Sequence, residues 1–215
     1  MILVITGGIG SGKSLVSSHF HKLGVPVYDS DSQVKKLYSS VKGLIPKLES
    51  SLGLSLVDDL GQLDKAKLAA EIFRDEKKLK LLEDIIFPLL LEDFNEWYTA
   101  YNQEDEPLVV FESATILEKE YFKGFGDKLL VVDAPINERI ERVMARDGLT
   151  REEIEKRINN QPLFNRYDNI ESSIQSNNIA ESPIQCDFII KNDNSNIALG
   201  AEVEKIYNCL IRNLV

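Results

Sequence analysis

Gly7-Gly8-Ile9-Gly10-Ser11-Gly12-Lys13-Ser14 fits the pattern G-x-x-x-x-G-K-[ST]. Glycines in such a run let the backbone curl until several N–H groups face inward at phosphate oxygens. A helix starting at its end adds the positive pole of its dipole. Lys13 has the reach for β- and γ-phosphates, and the Ser14 hydroxyl suits a place in a Mg²⁺ shell. Gly8, Ile9, Gly10, Ser11, Gly12, Lys13, Ser14 and Leu15 are therefore the candidate nucleotide-binding residues, with Ser14 the candidate metal ligand. The pattern marks a nucleoside triphosphate site. It is shared by kinases, GTPases, motor ATPases and regulatory modules.

Two further groups of residues bear on that choice. Asp29-Ser30-Asp31 follows the apolar run Val25 to Tyr28. A carboxylate there can accept the proton of an acceptor hydroxyl or hold Mg²⁺-bound water. Equally, Ser30 and Gln33 have capping-box spacing, and an acid in a first helical turn is favourable by itself. Arginine is the second group: six of the eight fall between Arg139 and Arg166, while lysine dominates elsewhere. Arg139, Arg142 and Arg146 share one helix face by spacing. Planar guanidinium groups bind phosphate oxygens bidentately and offset charge on a moving phosphoryl group. The competing account is a solvated helix with Glu138–Arg142 and Glu153–Arg157 pairs.

The elements that must position these residues are readable from periodicity. Ile2 to Ile5 predicts a buried strand, Ser14 to Leu23 a helix ended by Gly24, and Val25 to Tyr28 a second strand. That order opens a parallel βαβ unit. From about Ser32 to Tyr101 helical periodicity prevails, with Pro46, Gly53 and Gly61 as breaks and Pro88 starting or kinking another helix. Strand signals return at Leu108 to Phe111, ending in Glu112, and at Leu129 to Val132, ending in Asp133. Short apolar runs with a terminal acid suit central parallel strands whose C-terminal edge faces a site. Thr150 and Glu153 predict a capping box and a helix from about Arg151. Asn165 to Ser182 reads as loop or short helix, Phe188 to Ile190 as a last strand, and Ala198 to Leu214 as an amphipathic helix.

Composition narrows the function. The 215 residues are 43% apolar and 28% charged, an ordinary globular balance. Lys plus Arg is 25 against 35 Asp plus Glu, a net charge of −10. Such a chain is a poor non-specific binder of nucleic acid or anionic membrane, so neither is expected as a partner. Cys186 and Cys209 form no metal or redox motif, which suits two packed thiols in a reducing cytoplasm. No signal peptide is read at Met1, and no apolar run is long enough to span a bilayer. Asp58 to Gly61 matches the GTPase D-x-x-G but has no strand before it, and no N-K-x-D occurs. The helical stretch and the late arginines favour a small-molecule kinase, with an acceptor-binding insertion and a lid.

The whole resembles the dephospho-CoA kinase family, nearly end to end. The residues that carry the resemblance are Ile5 to Ser14, Leu23-Gly24, Asp29-Ser30-Asp31, Gly61-Gln62-Leu63-Asp64 with Leu68 and Phe73, and Leu82 to Ile85. Arg142, Arg146-Asp147-Gly148, Arg157, Gln161, Asp187 and Asn192 continue it. It implies a P-loop NTPase fold, a three-layer α/β/α arrangement around a parallel sheet. The core would be about 1–31, 106–135 and 186–215, the helical CoA-binding insertion about 32–105, and the helical lid about 136–168. It implies transfer of the ATP γ-phosphate, with Mg²⁺, to the ribose 3′-hydroxyl of dephospho-CoA. By position, Asp31 would face that hydroxyl, Lys13 would hold phosphates, and Arg142 and Arg146 would be lid residues near ATP. The enzyme would be cytoplasmic and a monomer or small homo-oligomer. Departures from the pattern are Leu15 for a Thr, Phe87 for a His, Ala114 to Glu118 for P-L-L-F-E, Arg139 for a Gln, and a longer Pro162–Gln185 connection. Two readings stay open beside this one: a kinase for a nucleoside monophosphate or sugar, and a non-catalytic nucleotide-binding module.

Overall fold

The computed structural model describes residues 1–72, 74–102, 107–161, 186–193 and 196–212. Five strands form one parallel sheet: β1 (Ile2–Thr6), β2 (Val27–Asp29), β3 (Val109–Glu112), β4 (Lys128–Asp133) and β5 (Phe188–Lys191). Their order is β2-β3-β1-β4-β5, with β1 central. Near-continuous apolar runs form these strands because a central parallel strand is buried on both faces. Leu3, Val4, Ile5, Val110, Phe111, Leu130 and Val131 are at most 2% exposed. The predicted acids close three strands, Asp29, Glu112 and Asp133, all at the C-terminal edge.

One sheet face is covered by α1 (Lys13–Lys22) and α8 (Asn196–Arg212). Val16 and Phe20 of α1 and Leu199, Val203 and Leu210 of α8 meet Leu3, Ile5, Val110, Leu130 and Val132 in one core. On the other face Phe111 stacks on Tyr28 at 5.4 Å and meets the edge of Phe125 at 4.7 Å. Between β4 and β5 lie α6 (Ile136–Asp147) and α7 (Arg151–Asn159). Ile140, Val143, Ile154 and Ile158 give this pair its own small core. The capping box starts α7 as predicted: Thr150 Oγ1 accepts from the Glu153 N–H, and the Glu153 carboxylate accepts from the Thr150 N–H.

The chain divides into two compact units, residues 1–29 with 104–215, and residues 30–103. The second is helical: α2 (Ser30–Ser40), α3 (Leu44–Leu52), α4 (Lys65–Ile72) and α5 (Glu76–Asn102). Its only β pairing among the described residues is one antiparallel bridge, Val57 to Leu63. Pro46, expected as a break, and Pro88, expected to start or kink a helix, both lie within helices. Pro46 lies in the first turn of α3, where the N–H it lacks has no helical partner anyway. Pro88 lies inside α5, which continues through it. Pro88 is on the exposed side of α5, while Leu82, Ile86, Leu90 and Phe94 hold the buried stripe. Neither Cys186 nor Cys209 is in a disulfide; Cys186 is partly buried, and Cys209 is exposed rather than packed. Among the described residues no helix is long and apolar enough to cross a membrane. Phe73, Arg166, the stretch 162–185 and Leu214 fall outside the described residues.

Candidate active site

The loop between β1 and α1 has the shape its glycines require. Gly10 (φ +77°) and Gly12 (φ +99°) adopt left-handed conformations that side-chain-bearing residues rarely take. Ser11 N–H closes a turn on the Gly8 carbonyl at 3.1 Å, and Gly12 is the N-cap of α1. Among the described residues no acceptor takes the N–H groups of Gly10, Gly12 or Ser14. That leaves donors at the positive end of a ten-residue helix, an anion-binding arrangement. The Lys13 ammonium donates to the Gly7 carbonyl at 2.8 Å, so it is held at the same loop. Leu15, which replaces a hydroxyl residue of the resembled pattern, packs its side chain against the sheet core instead.

Beside the loop stands an acid that the motif does not announce. Glu112, at the end of β3, is 6% exposed and accepts from the Ser14 hydroxyl at 2.7 Å. Burial pushes its carboxyl above the usual carboxylate range. The Ser14 and Ser17 hydroxyls and Lys13 partly offset this, and the neighbouring Asp29 carboxylate adds to it. Asp29 and Glu112 are direct partners in the β2–β3 register, which places two carboxylates side by side at the sheet edge. The sequence signal for Glu112 was its place at a strand end; its partner Ser14 lies 98 positions away.

The arginines separate by environment. Arg139 is only 2% exposed; its Nε donates to the Ile9 carbonyl at 2.9 Å. Its guanidinium lies over Gly8, and its backbone approaches Gly10, so a Cβ at either glycine would collide with it. Arg142 binds Glu138 at 3.0 Å and the Asn192 carbonyl at 2.9 Å, with longer approaches to the Gly10 and Ser11 carbonyls. Arg146 is largely exposed and forks onto its neighbour Asp147 at 2.7 and 2.9 Å. Asn192, buried after β5, donates to the Ser11 carbonyl at 2.9 Å. Gln161, just past α7, accepts from the Ile9 N–H at 2.8 Å. Gln161 and Asn192 entered the sequence reading only through family likeness, yet both touch the loop directly. Asp31 is exposed in the first turn of α2 and belongs to the helical unit. Ser30 is already helical, so it is not the cap that its spacing to Gln33 suggested.

A phosphate loop at the C-terminal edge of a parallel sheet, with an acid on its serine, defines a P-loop nucleotide-binding α/β protein. The sequence profile of the dephospho-CoA kinase family matches residues 1–195. A dephospho-CoA kinase of Mesorhizobium japonicum is 38% identical over 72% of this chain and 76% of its own length. That of Aquifex aeolicus is 30% identical over 97% of each chain. Among solved structures, the Thermus thermophilus protein TT1252 superposes with a TM-score of 0.75 at 29% identity, covering 100% of this chain and 98% of its own. The chain belongs to the dephospho-CoA kinase family. It is an ATP-dependent kinase, a transferase.

Proposed function

We propose that the chain transfers the γ-phosphoryl group of ATP to the ribose 3′-hydroxyl of dephospho-CoA, giving coenzyme A and ADP, the last step of coenzyme A synthesis. The observation that carries this reading is the loop itself, with open amides at Gly10, Gly12 and Ser14 and Glu112 seated on Ser14, in a chain of this family. The amides and Lys13 hold the phosphates, while Gly8, Ile9, Ser11 and Leu15 give the loop its frame. The acceptor oxygen attacks the γ-phosphorus, the bond to the β–γ bridging oxygen breaks, and the Asp31 carboxylate takes the hydroxyl proton. Arg142 and Arg146 are assigned to offset charge on the moving group.

The donor set fits Mg²⁺. Ser14 and Glu112 bring two hard oxygens to one place, with Asp29 beside Glu112. Mg²⁺ in such sites takes one or two protein ligands and fills its shell with phosphates and water, so no larger cage is needed. When bound, it would offset charge on the β- and γ-phosphate oxygens. Residues 30–103 are read as the acceptor-binding insertion and α6 and α7 as the described part of the lid. The enzyme is read as cytoplasmic, a monomer or small homo-oligomer, with no nucleic acid or membrane partner. Asp31→Asn tests the assignment of the base: ATP affinity should hold while kcat falls by about 10²-fold or more. An unchanged kcat would reduce Asp31 to a first-turn acid that favours its helix.

A further inference from the structure

Ile9, at the apex of the phosphate loop, is gripped through every handle it has. Its carbonyl accepts from Arg139 Nε of α6 at 2.9 Å. Its N–H donates to Gln161 Oε1, beyond α7, at 2.8 Å. Its side chain packs on the core that Ile140 and Val143 of α6 share with Ile154 and Ile158 of α7. Gln161 is itself fixed to the helix end, its own N–H donating to the Ile158 carbonyl at 2.9 Å. Because an N–H faces the carboxamide, the atom facing Ile9 must be its oxygen.

We propose that Gln161 is a positioning residue for ATP: it turns the Ile9 N–H out of the loop and so fixes the apex from which the inner amides are presented. The inference rests on the phosphate loop being the ATP site. Two consequences follow from the geometry. Without the Gln161 oxygen the Ile9 amide loses its partner, and the apex gains conformers in which Gly10 and Gly12 no longer aim inward. Only the fraction of molecules with the apex set can bind the phosphates, so apparent ATP affinity falls by that fraction. Ile9 thereby ties the loop both to α6, through Arg139, and to the end of α7, through Gln161.

The test uses Gln161→Met, which keeps length and loses the acceptor, and Gln161→Glu, which keeps an acceptor oxygen. In Gln161→Met, KM for ATP should rise about threefold to tenfold, the worth of one hydrogen bond. KM for dephospho-CoA should stay within about twofold, because the bond lost with the Gln161 carboxamide oxygen is the one to the phosphate loop. Amide exchange at Ile9 should be protected in the parent, fast in Gln161→Met, and protected again in Gln161→Glu. Gln161→Asn, one methylene shorter, should follow the Met variant and serves if that variant folds poorly. An unchanged KM for ATP, an equal rise for both substrates, or an Ile9 amide still protected in the Met variant would overturn the inference. Lys13→Ala separates it from the reading beneath. If that variant still binds ATP, the loop is not the ATP site. If it loses ATP while Gln161→Met does not, only the role of Gln161 fails.

Discussion

Replacing Gly12 by alanine should damage the loop in two separable ways. The first is backbone strain: Gly12 sits at φ +99°, and a left-handed conformation costs an ordinary residue about 1–2 kcal/mol. The second is a collision. The new Cβ would run into the Asn192 side-chain amide, whose Cγ lies at 3.3 Å, and would displace it from the Ser11 carbonyl. Breaking that buried bond, which leaves the Ser11 carbonyl with only the 3.5 Å approach of Arg142, costs about 1–3 kcal/mol more. The sum, about 2–5 kcal/mol, should lower the melting temperature by roughly 4–20 °C at about 2–4 °C per kcal/mol for a chain of this length. Gly148→Ala is the control. Gly148 also has positive φ, +68°, but nothing lies within 4 Å of its Cβ position. It should lose only the strain, about 2–8 °C. Thermal melts of Gly12→Ala, Asn192→Ala and the double variant then form a cycle. The double variant should lose less than the sum of the singles, because removing Asn192 removes the obstacle. Strict additivity, or a Gly12→Ala melt no lower than that of Gly148→Ala, would refute the reasoning.

Glu112→Gln keeps an acceptor for the Ser14 hydroxyl and removes a buried charge. Burial holds the native carboxyl above its unfolded pKa, so the charge costs stability above the native pKa and nothing below the unfolded one. The variant should therefore melt higher than the parent at pH 8, with the gap closing toward pH 4, while kcat drops by about 10²-fold. A gap independent of pH, or an unchanged kcat, would count against the site assigned to Glu112. Thr150→Ala removes the hydroxyl that accepts from the Glu153 N–H in the α7 capping box, while the backbone N–H of residue 150 keeps its bond to the Glu153 carboxylate. It should cost about 1 kcal/mol, read as a melt lower by about 2–4 °C, with KM for the acceptor unaltered.

The phosphate loop was legible because its shape is local: glycines, a lysine and a helix start lie within eight positions, and backbone amides form the site. Strand ends were legible for the same reason, since an acid closing an apolar run needs no distant partner. Glu112 gained its meaning from Ser14 across the β1–β3 pairing, and no local pattern carries that. Arg139 read as one of three arginines on a helix face. Its burial depends on the Ile9 carbonyl, 130 positions away, which gives a guanidinium a partner inside the fold. Pro88 read as starting or kinking a helix because proline removes a helical bond. The apolar stripe of α5 outweighs that loss where the proline faces water. Leu15 read as a lost hydroxyl at the phosphates; packing against the sheet core accounts for the apolar side chain.

The most direct test of the account is ADP formation from ATP and Mg²⁺ with dephospho-CoA, a nucleoside monophosphate, a sugar, or no acceptor, with product masses read in parallel. ADP formation should depend on dephospho-CoA, with one phosphoryl group added to the ribose 3′-oxygen, and rates should stay near the no-acceptor blank otherwise. No turnover above that blank with dephospho-CoA, or faster turnover with another acceptor, would contradict it.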